Sequence, residues 1–260
     1  MTDTWRRHLP EYAAEAFGLG LFMVSACGFG VWLFHPASPA AHRIPSEMLR
    51  LGLMGLAMGL TNIVNIYSPW GRRSGAHLNP AVTLTFHRLG KVSRADLIGY
   101  IAGQFVGGAL GMVVGVLLFR PGVAHPAVNY VATRPGMAGE GAAFGAELAI
   151  SFALMAVVLV VSSRPRVARL TGLVASVLLA LYITFETPLS GMSMNPARTI
   201  GSALFAGAGP GLWLYFLAPV AGMLLAAETL ERGGALRRRF CAKLDHDPRV
   251  ACIFCGHRPH

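Results

Sequence analysis

The most legible chemistry in this chain sits in a tripeptide that occurs twice, Asn79-Pro80-Ala81 and Asn195-Pro196-Ala197. Proline is tolerated at the first position of a helix because the N–H it lacks has no intrahelical partner there, and asparagine is a favoured N-cap. Each tripeptide therefore reads as a helix start with a carboxamide at its mouth, beside the partial positive charge of the helix N-terminus. Such a group offers orientable N–H donors. It suits a neutral molecule with acceptor oxygens and repels cations, protons included. Arg198 follows the second tripeptide directly and adds a fixed cation. Two carboxylates, Glu15 and Glu147, stand in apolar surroundings upstream of the two tripeptides.

The elements that must position these groups are membrane spans. The 260 residues are 54% hydrophobic and 13% charged, too few charges to coat a water-soluble domain of this size. Glycine and proline are frequent without a short period, which excludes collagen-like, disordered and coiled-coil chains. A spanning helix needs about 20 apolar residues. Segments 12–34, 47–67, 95–119, 142–162, 167–187 and 210–229 meet that length. Arg6 and Arg7 precede the first as they would in a signal peptide, but its length and the five further spans mark a retained helix.

The formal charge of +10 would raise the question of nucleic acid in a soluble chain; here it reports topology. With six spans both termini lie on one side. That side collects 17 of the 22 Lys and Arg residues, including Arg237, Arg238 and Arg239, and leaves Arg43, Arg50, Arg120, Arg134 and Arg198 on the other. Basic loops stay in the cytoplasm, so both termini are expected there, in a multi-pass protein of the cell membrane with no nucleic-acid partner.

The stretches from Asn79 to about Leu89 and from Asn195 to about Phe205 are too short to span. The charge pattern places them on opposite faces, as half-helices entering from each side. The halves also echo one another: Glu15 by Glu147, Asn79 by Asn195, Tyr100 by Tyr215 and Gly107 by Gly222, at offsets of 132, 116, 115 and 115. Three spans per half is odd, so the second half is inverted. Non-spanning helices at membrane depth are tolerated only where protein buries them or a watery cavity adjoins them. The two N-termini should then meet near the midplane.

The runs Ser74-Gly-Ala-His-Leu-Asn-Pro-Ala-Val-Thr83 and Ser190-Gly-Met-Ser-Met-Asn-Pro-Ala-Arg198 resemble the two signature motifs of the aquaporin, or major intrinsic protein, family. The resemblance covers about residues 12–230, in halves of about 12–119 and 142–230, between an N-terminal segment 1–11 and a basic Cys/His-containing tail 231–260. It implies an all-α membrane fold of six transmembrane helices plus two re-entrant half-helices, assembled as homotetramers with a pore in each subunit. Carried over by motif, Asn79, Pro80, Ala81, Asn195, Pro196 and Ala197 form the pore midplane. Arg198 walls the outer constriction, and Glu15 and Glu147 are buried acceptors that hold the re-entrant loops. The permeants are water and small neutral solutes.

The resemblance assigns the rest of the constriction to Ile183, Met192 and either Met58 or Gly59, with Met58 favoured by the match of Gly59-Leu60. Strict water channels of the family carry His at the place of Ile183. The apolar ring points to small solutes besides water, because methionine adapts its shape. Thr199, Ala203 and Tyr215-Phe216 look instead like the water branch, while Ser190-Gly-Met-Ser-Met194 is similar to plant nodulin-like channels that pass metalloid hydroxides. Water channel, polyol facilitator and metalloid-hydroxide facilitator all stay open.

Asn62 and Asn65 read as pore-lining or as interhelical hydrogen-bonding residues, His77 as a loop histidine or a pH sensor, and Gly107, Gly108 and Gly111 as packing positions. In the tail, Cys241, Cys252, Cys255 and His257 have the ligand inventory for zinc. Their compact spacing fits the ordinary reading of reduced cytosolic thiols, so no metal or cofactor is assigned. An ion-coupled transporter also uses inverted repeats, but it wants carboxylates at the substrate, where this chain has asparagines. No nucleophile or ligand pair at membrane depth marks an enzyme.

Overall fold

The computed structural model describes residues 2–236 and 240–258 and has no strand among them. Arg237, Arg238 and Arg239, counted in the charge asymmetry, lie outside the described residues. Among the described residues six helices are long and apolar enough to cross a membrane: α1 (Thr2–Phe34), α3 (Glu47–Tyr67), α6 (Arg94–Phe119), α7 (Gly139–Ser162), α8 (Thr171–Phe185, extended to an 18-residue span by the 3-10 turn Ala168–Leu170) and α11 (Leu214–Arg232). Between them lie the short helices α2 (Pro39–Arg43), α4 (Pro69–Ser74) and α9 (Thr187–Ser190), and the half-helices α5 (Pro80–Arg88) and α10 (Pro196–Ala206).

The half-helices have 9 and 11 residues. At about 1.5 Å per residue they are roughly 14 and 17 Å long, together about the 30 Å of a hydrocarbon core. Their caps are as the tripeptides predict: Asn79 and Asn195 are extended N-caps whose side chains accept from the first free N–H groups, and Pro80 and Pro196 open the helices.

The first helix starts ten residues before the expected span. Residues 2–11 continue it, and its 33 residues exceed what a bilayer requires. Tertiary contacts hold the extension. His8 Nδ1 lies 2.6 Å from Asp96, Tyr12 donates to Asp96 at 2.8 Å, and Glu11 pairs with Arg73 at 3.1 Å. Composition alone did not show this, because residues 2–11 are polar. The last span starts at Leu214, four residues later than expected, because Gly207, Gly209, Pro210 and Gly211 keep the preceding segment out of the helix.

The inverted repeat is visible in the packing. The α1–α6 pair corresponds to α7–α11, α3 and α8 join the halves, and the half-helices cross over, α5 onto α11 and α10 onto α6. Glycine sets the closest approaches. A Cβ on Gly107 would sit 2.1 Å from the Ala16 carbonyl oxygen, and one on the equivalent Gly222 would sit 2.4 Å from that of Leu148. Gly111 meets Gly20 in the same way at 2.5 Å, and Gly108 meets Ala197 at 2.7 Å. Without a hydrophobic driving force in lipid, such backbone contact is what fastens helices. Outward, Leu56, Leu60, Leu117 and Leu118 are more than half exposed, an apolar girdle for lipid or neighbouring copies.

Candidate functional site

Two buried carboxylates organise the loops ahead of the half-helices. Glu15 accepts from Ser74 Oγ at 2.7 Å, from the His77 and Leu78 amides at 3.0 and 2.6 Å, and from Gln104 Nε2 at 2.7 Å. Glu147 accepts from Ser190 Oγ at 2.8 Å and from the Ser193 and Met194 amides at 2.6 and 2.8 Å. The donors correspond at an offset of 116, apart from Gln104. Tyr100 and Tyr215 complete the equivalence by donating to the Ser74 and Ser190 carbonyls.

The carboxylates hold backbone that side chains disfavour. Ala76 and Leu78 have φ of 54° and 52°, and Met192 and Met194 have 46° and 52°. Each such residue costs about 1–3 kcal/mol. Three or four hydrogen bonds to a charged acceptor, each worth roughly 1.5–3 kcal/mol, outweigh the pair in each loop. The loops turn their carbonyls inward as a result. Asn79 Nδ2 donates to the Met194 carbonyl at 2.6 Å, and Asn195 Nδ2 to the Leu78 carbonyl at 2.7 Å, so the two tripeptides clasp reciprocally. Each Oδ1 accepts from its own helix N-terminus, Ala81 N at 2.9 Å and Ala197 N at 3.0 Å. A carboxamide has two N–H bonds, so each asparagine keeps one for a ligand.

Both asparagines face a cavity of about 330 Å³ that runs between the helices. Met58, Ile183, Met192 and Arg198 line it, and so do Met54, Asn62, Ala76, His77, Val82 and Leu244. Met58 is 1% exposed and lines the cavity. Gly59, the alternative for the same place, lies instead against α8, where a Cβ would come within 3.0 Å of the Ser176 carbonyl. Pro80, Ala81, Pro196 and Ala197 are buried behind the asparagines. Arg198 Nη1 is buried without a hydrogen-bond partner among the described residues, a free donor at this wall.

The remaining candidates divide. Asn65 bridges helices through the Gly18 carbonyl at 2.9 Å, whereas Asn62 both bonds Ser176 Oγ at 3.0 Å and lines the cavity. His77 is 4% exposed; Nδ1 lies 3.1 Å from Thr83 Oγ1 and Nε2 lies 2.6 Å from the Ala242 carbonyl. The sequence alone assigns no individual role to Val82, Gln104 or Leu244. Gln104, a buried polar side chain inside a span, carried a signal for its role. Val82 could have been found as the residue aligned with Arg198. Leu244 had no such signal, because the tail has no periodicity.

The tail also corrects one candidate. His257 does not join the cysteines, for its Nε2 lies 2.7 Å from the Pro248 carbonyl. His246 takes that place, with Nε2 3.2 Å from Cys255 Sγ. The hydrogen bond with Cys241 holds the Cys252 thiol well below its usual range.

This architecture has named counterparts. The family model described as Major intrinsic protein matches residues 3–229. A glycerol uptake facilitator protein-like 6 of Lactiplantibacillus plantarum is 39% identical over 177 residues, 67% of this chain and 81% of that one. Aquaporin NIP2-1 of Oryza sativa subsp. japonica is 36% identical over 224 residues, covering 85% and 69% of the two chains. The structure of the aquaglyceroporin from Plasmodium falciparum superposes with a TM-score of 0.69 at 20% identity, over 86% of this chain and 96% of that one, a likeness of fold. With the inverted repeat, the paired tripeptides and a family match over most of its length, the chain belongs to the major intrinsic protein family.

Proposed function

We propose that the protein is a passive channel for water and small uncharged hydroxylated solutes. The observation that carries this is the lining of one cavity by two N-cap asparagines, one arginine and an otherwise apolar ring of Met58, Ile183 and Met192. Asn79 and Asn195 each present one N–H to a passing oxygen while their helix N-termini oppose cations. Arg198 supplies a second donor from one side of the ring. An apolar ring with a single cationic donor has no polar group to prefer water over a small polyol, and two methionines adjust its aperture. Glu15 and Glu147 act by positioning the loops.

The names of the relatives, a glycerol facilitator and a plant aquaporin, support the same permeant class. We place the channel in the cell membrane with cytoplasmic termini, which the charge asymmetry supports, and as a homotetramer, which the family resemblance and the apolar girdle support. Vesicles bearing the protein test the reading: in a glycerol gradient they should shrink and then reswell faster than protein-free vesicles. Shrinkage without accelerated reswelling would restrict the channel to water.

A further inference from the structure

The described tail, residues 240–258, contains no helix or strand, yet much of it is buried. Ala242, Lys243, Leu244 and Cys252 are each less than 8% exposed. A segment with no regular hydrogen bonding must be held by something else. Part of the answer is docking. The Leu244 amide donates to the Gly75 carbonyl at 3.1 Å, Lys243 Nζ donates to the Arg72 carbonyl at 2.7 Å, and Arg72 Nε pairs with Asp245 at 2.7 Å. Phe254 stacks on His77 with centroids 5.5 Å apart and planes 8° apart.

The rest of the answer lies in four side chains. Cys241 Sγ, His246 Nε2, Cys252 Sγ and Cys255 Sγ all lie within 4.8 Å of one another. Cys241 and Cys252 sulfurs are 3.4 Å apart, beyond a disulfide bond. A tetrahedral zinc ion with Zn–S near 2.3 Å and Zn–N near 2.0 Å separates its ligand atoms by about 3.5–3.8 Å, inside the observed spread. Three thiolates and an imidazole are a donor set that selects zinc over hard cations.

We propose that Cys241, His246, Cys252 and Cys255 bind one zinc ion, and that the bound ion fastens the tail as a plug over the mouth of the cavity on the side of the termini. The ring closes the chain between residues 241 and 255, and that closure presents Leu244 to the cavity and Phe254 to His77. Metal binding and tail docking are thereby one equilibrium. The plug rests on the channel reading; the metal site does not.

The test uses the full-length chain purified with reductant. One zinc per chain is expected by elemental analysis, and the cobalt-substituted chain should show tetrahedral thiolate absorption. His246→Ala and the double variant Cys252→Ser/Cys255→Ser should lose both, and His257→Ala should keep them. Because a cysteine variant can misfold, chelation of the wild-type chain is the second arm. It should speed trypsin cleavage after Lys243 by about tenfold or more, since proteolysis follows the open population and a ligand suppresses it. Chelation should also raise the water permeability of wild-type vesicles several-fold and leave the double variant's unchanged.

Zinc content equal in wild type and double variant, or a Cys241–Cys252 disulfide in the reduced protein, overturns the site. A filled site whose removal changes neither Lys243 cleavage nor permeability overturns the plug. Vesicles that conduct no water in any state refute the channel reading instead, and metal content and Lys243 cleavage still judge the site and its docking.

Discussion

Loop 74–79 and loop 190–195 follow one backbone path at an offset of 116: Gly75 and Gly191, Ala76 and Met192, Leu78 and Met194 share left-handed conformations, and Glu15 and Glu147 grip equivalent amides. Beyond the backbone they diverge. Val82 stands where the second half has Arg198, alanine where it has Met192, and His77 where it has Ser193. The first loop is covered by the tail through Ala242 and Leu244, while the second opens on the ring of Met58, Ile183 and Arg198. What duplication conserved is thus the strained scaffold that aims two asparagines at one place. What differs is each mouth, and under the proposals above the two mouths have different tasks: selection at one, closure at the other.

The largest effects should come from breaking the shared scaffold. Glu147→Ala leaves three donors without their acceptor, and each orphan costs about 1–3 kcal/mol. Glu15→Ala leaves four and should cost more, so its thermal unfolding temperature in detergent should fall further. Equal, small shifts would mean that the carboxylates do not carry the loops. Next come the glycine contacts: Gly107→Ala and Gly222→Ala force a methyl onto a carbonyl at 2.1 and 2.4 Å and should each lose about 1–3 kcal/mol. The same assay should find Gly59→Ala milder, because its contact is 3.0 Å.

The midplane is probed by charge. Asn195→Asp places a carboxylate where two helix N-termini meet and should raise cation or proton flux by about an order of magnitude. Planar-bilayer currents that do not change would remove the midplane assignment. The smallest effect belongs to the ring of Met58, Ile183, Met192 and Arg198. Ile183→His adds one hydrogen-bonding group to the ring, worth about 1 kcal/mol, and should shift the water-to-glycerol permeability ratio about fivefold toward water. A ratio that stays put would mean that Ile183 does not face the permeant.

Much of this was legible because it depends on local chemistry or on length. The half-helices follow from an Asn-Pro pair at each start, and five of the six spans lie within about four residues of their expected ends because apolar length is counted directly. The choice between Met58 and Gly59 needed the fold, since neighbouring helix positions differ by about 100° and only packing shows which faces inward. The terminal turns of α1 were illegible because their helix is stabilised by distant partners, Asp96 and Arg73. The tail was read by sequence proximity, which favours His257 beside Cys255. The turn closed by the Val250 amide on the Asp247 carbonyl folds the chain back, and His246 is the histidine that joins the three cysteines.

The central claim, two asparagine-capped half-helices that pass neutral molecules and reject charge, is tested most directly by stopped-flow light scattering on proteoliposomes carrying a pH-sensitive dye, with and without chelator. The account predicts rapid shrinkage in an impermeant osmolyte, shrinkage then accelerated reswelling in glycerol, and an intact proton gradient throughout. Water flux no faster than in protein-free vesicles in both conditions, or a collapsing proton gradient, would contradict it.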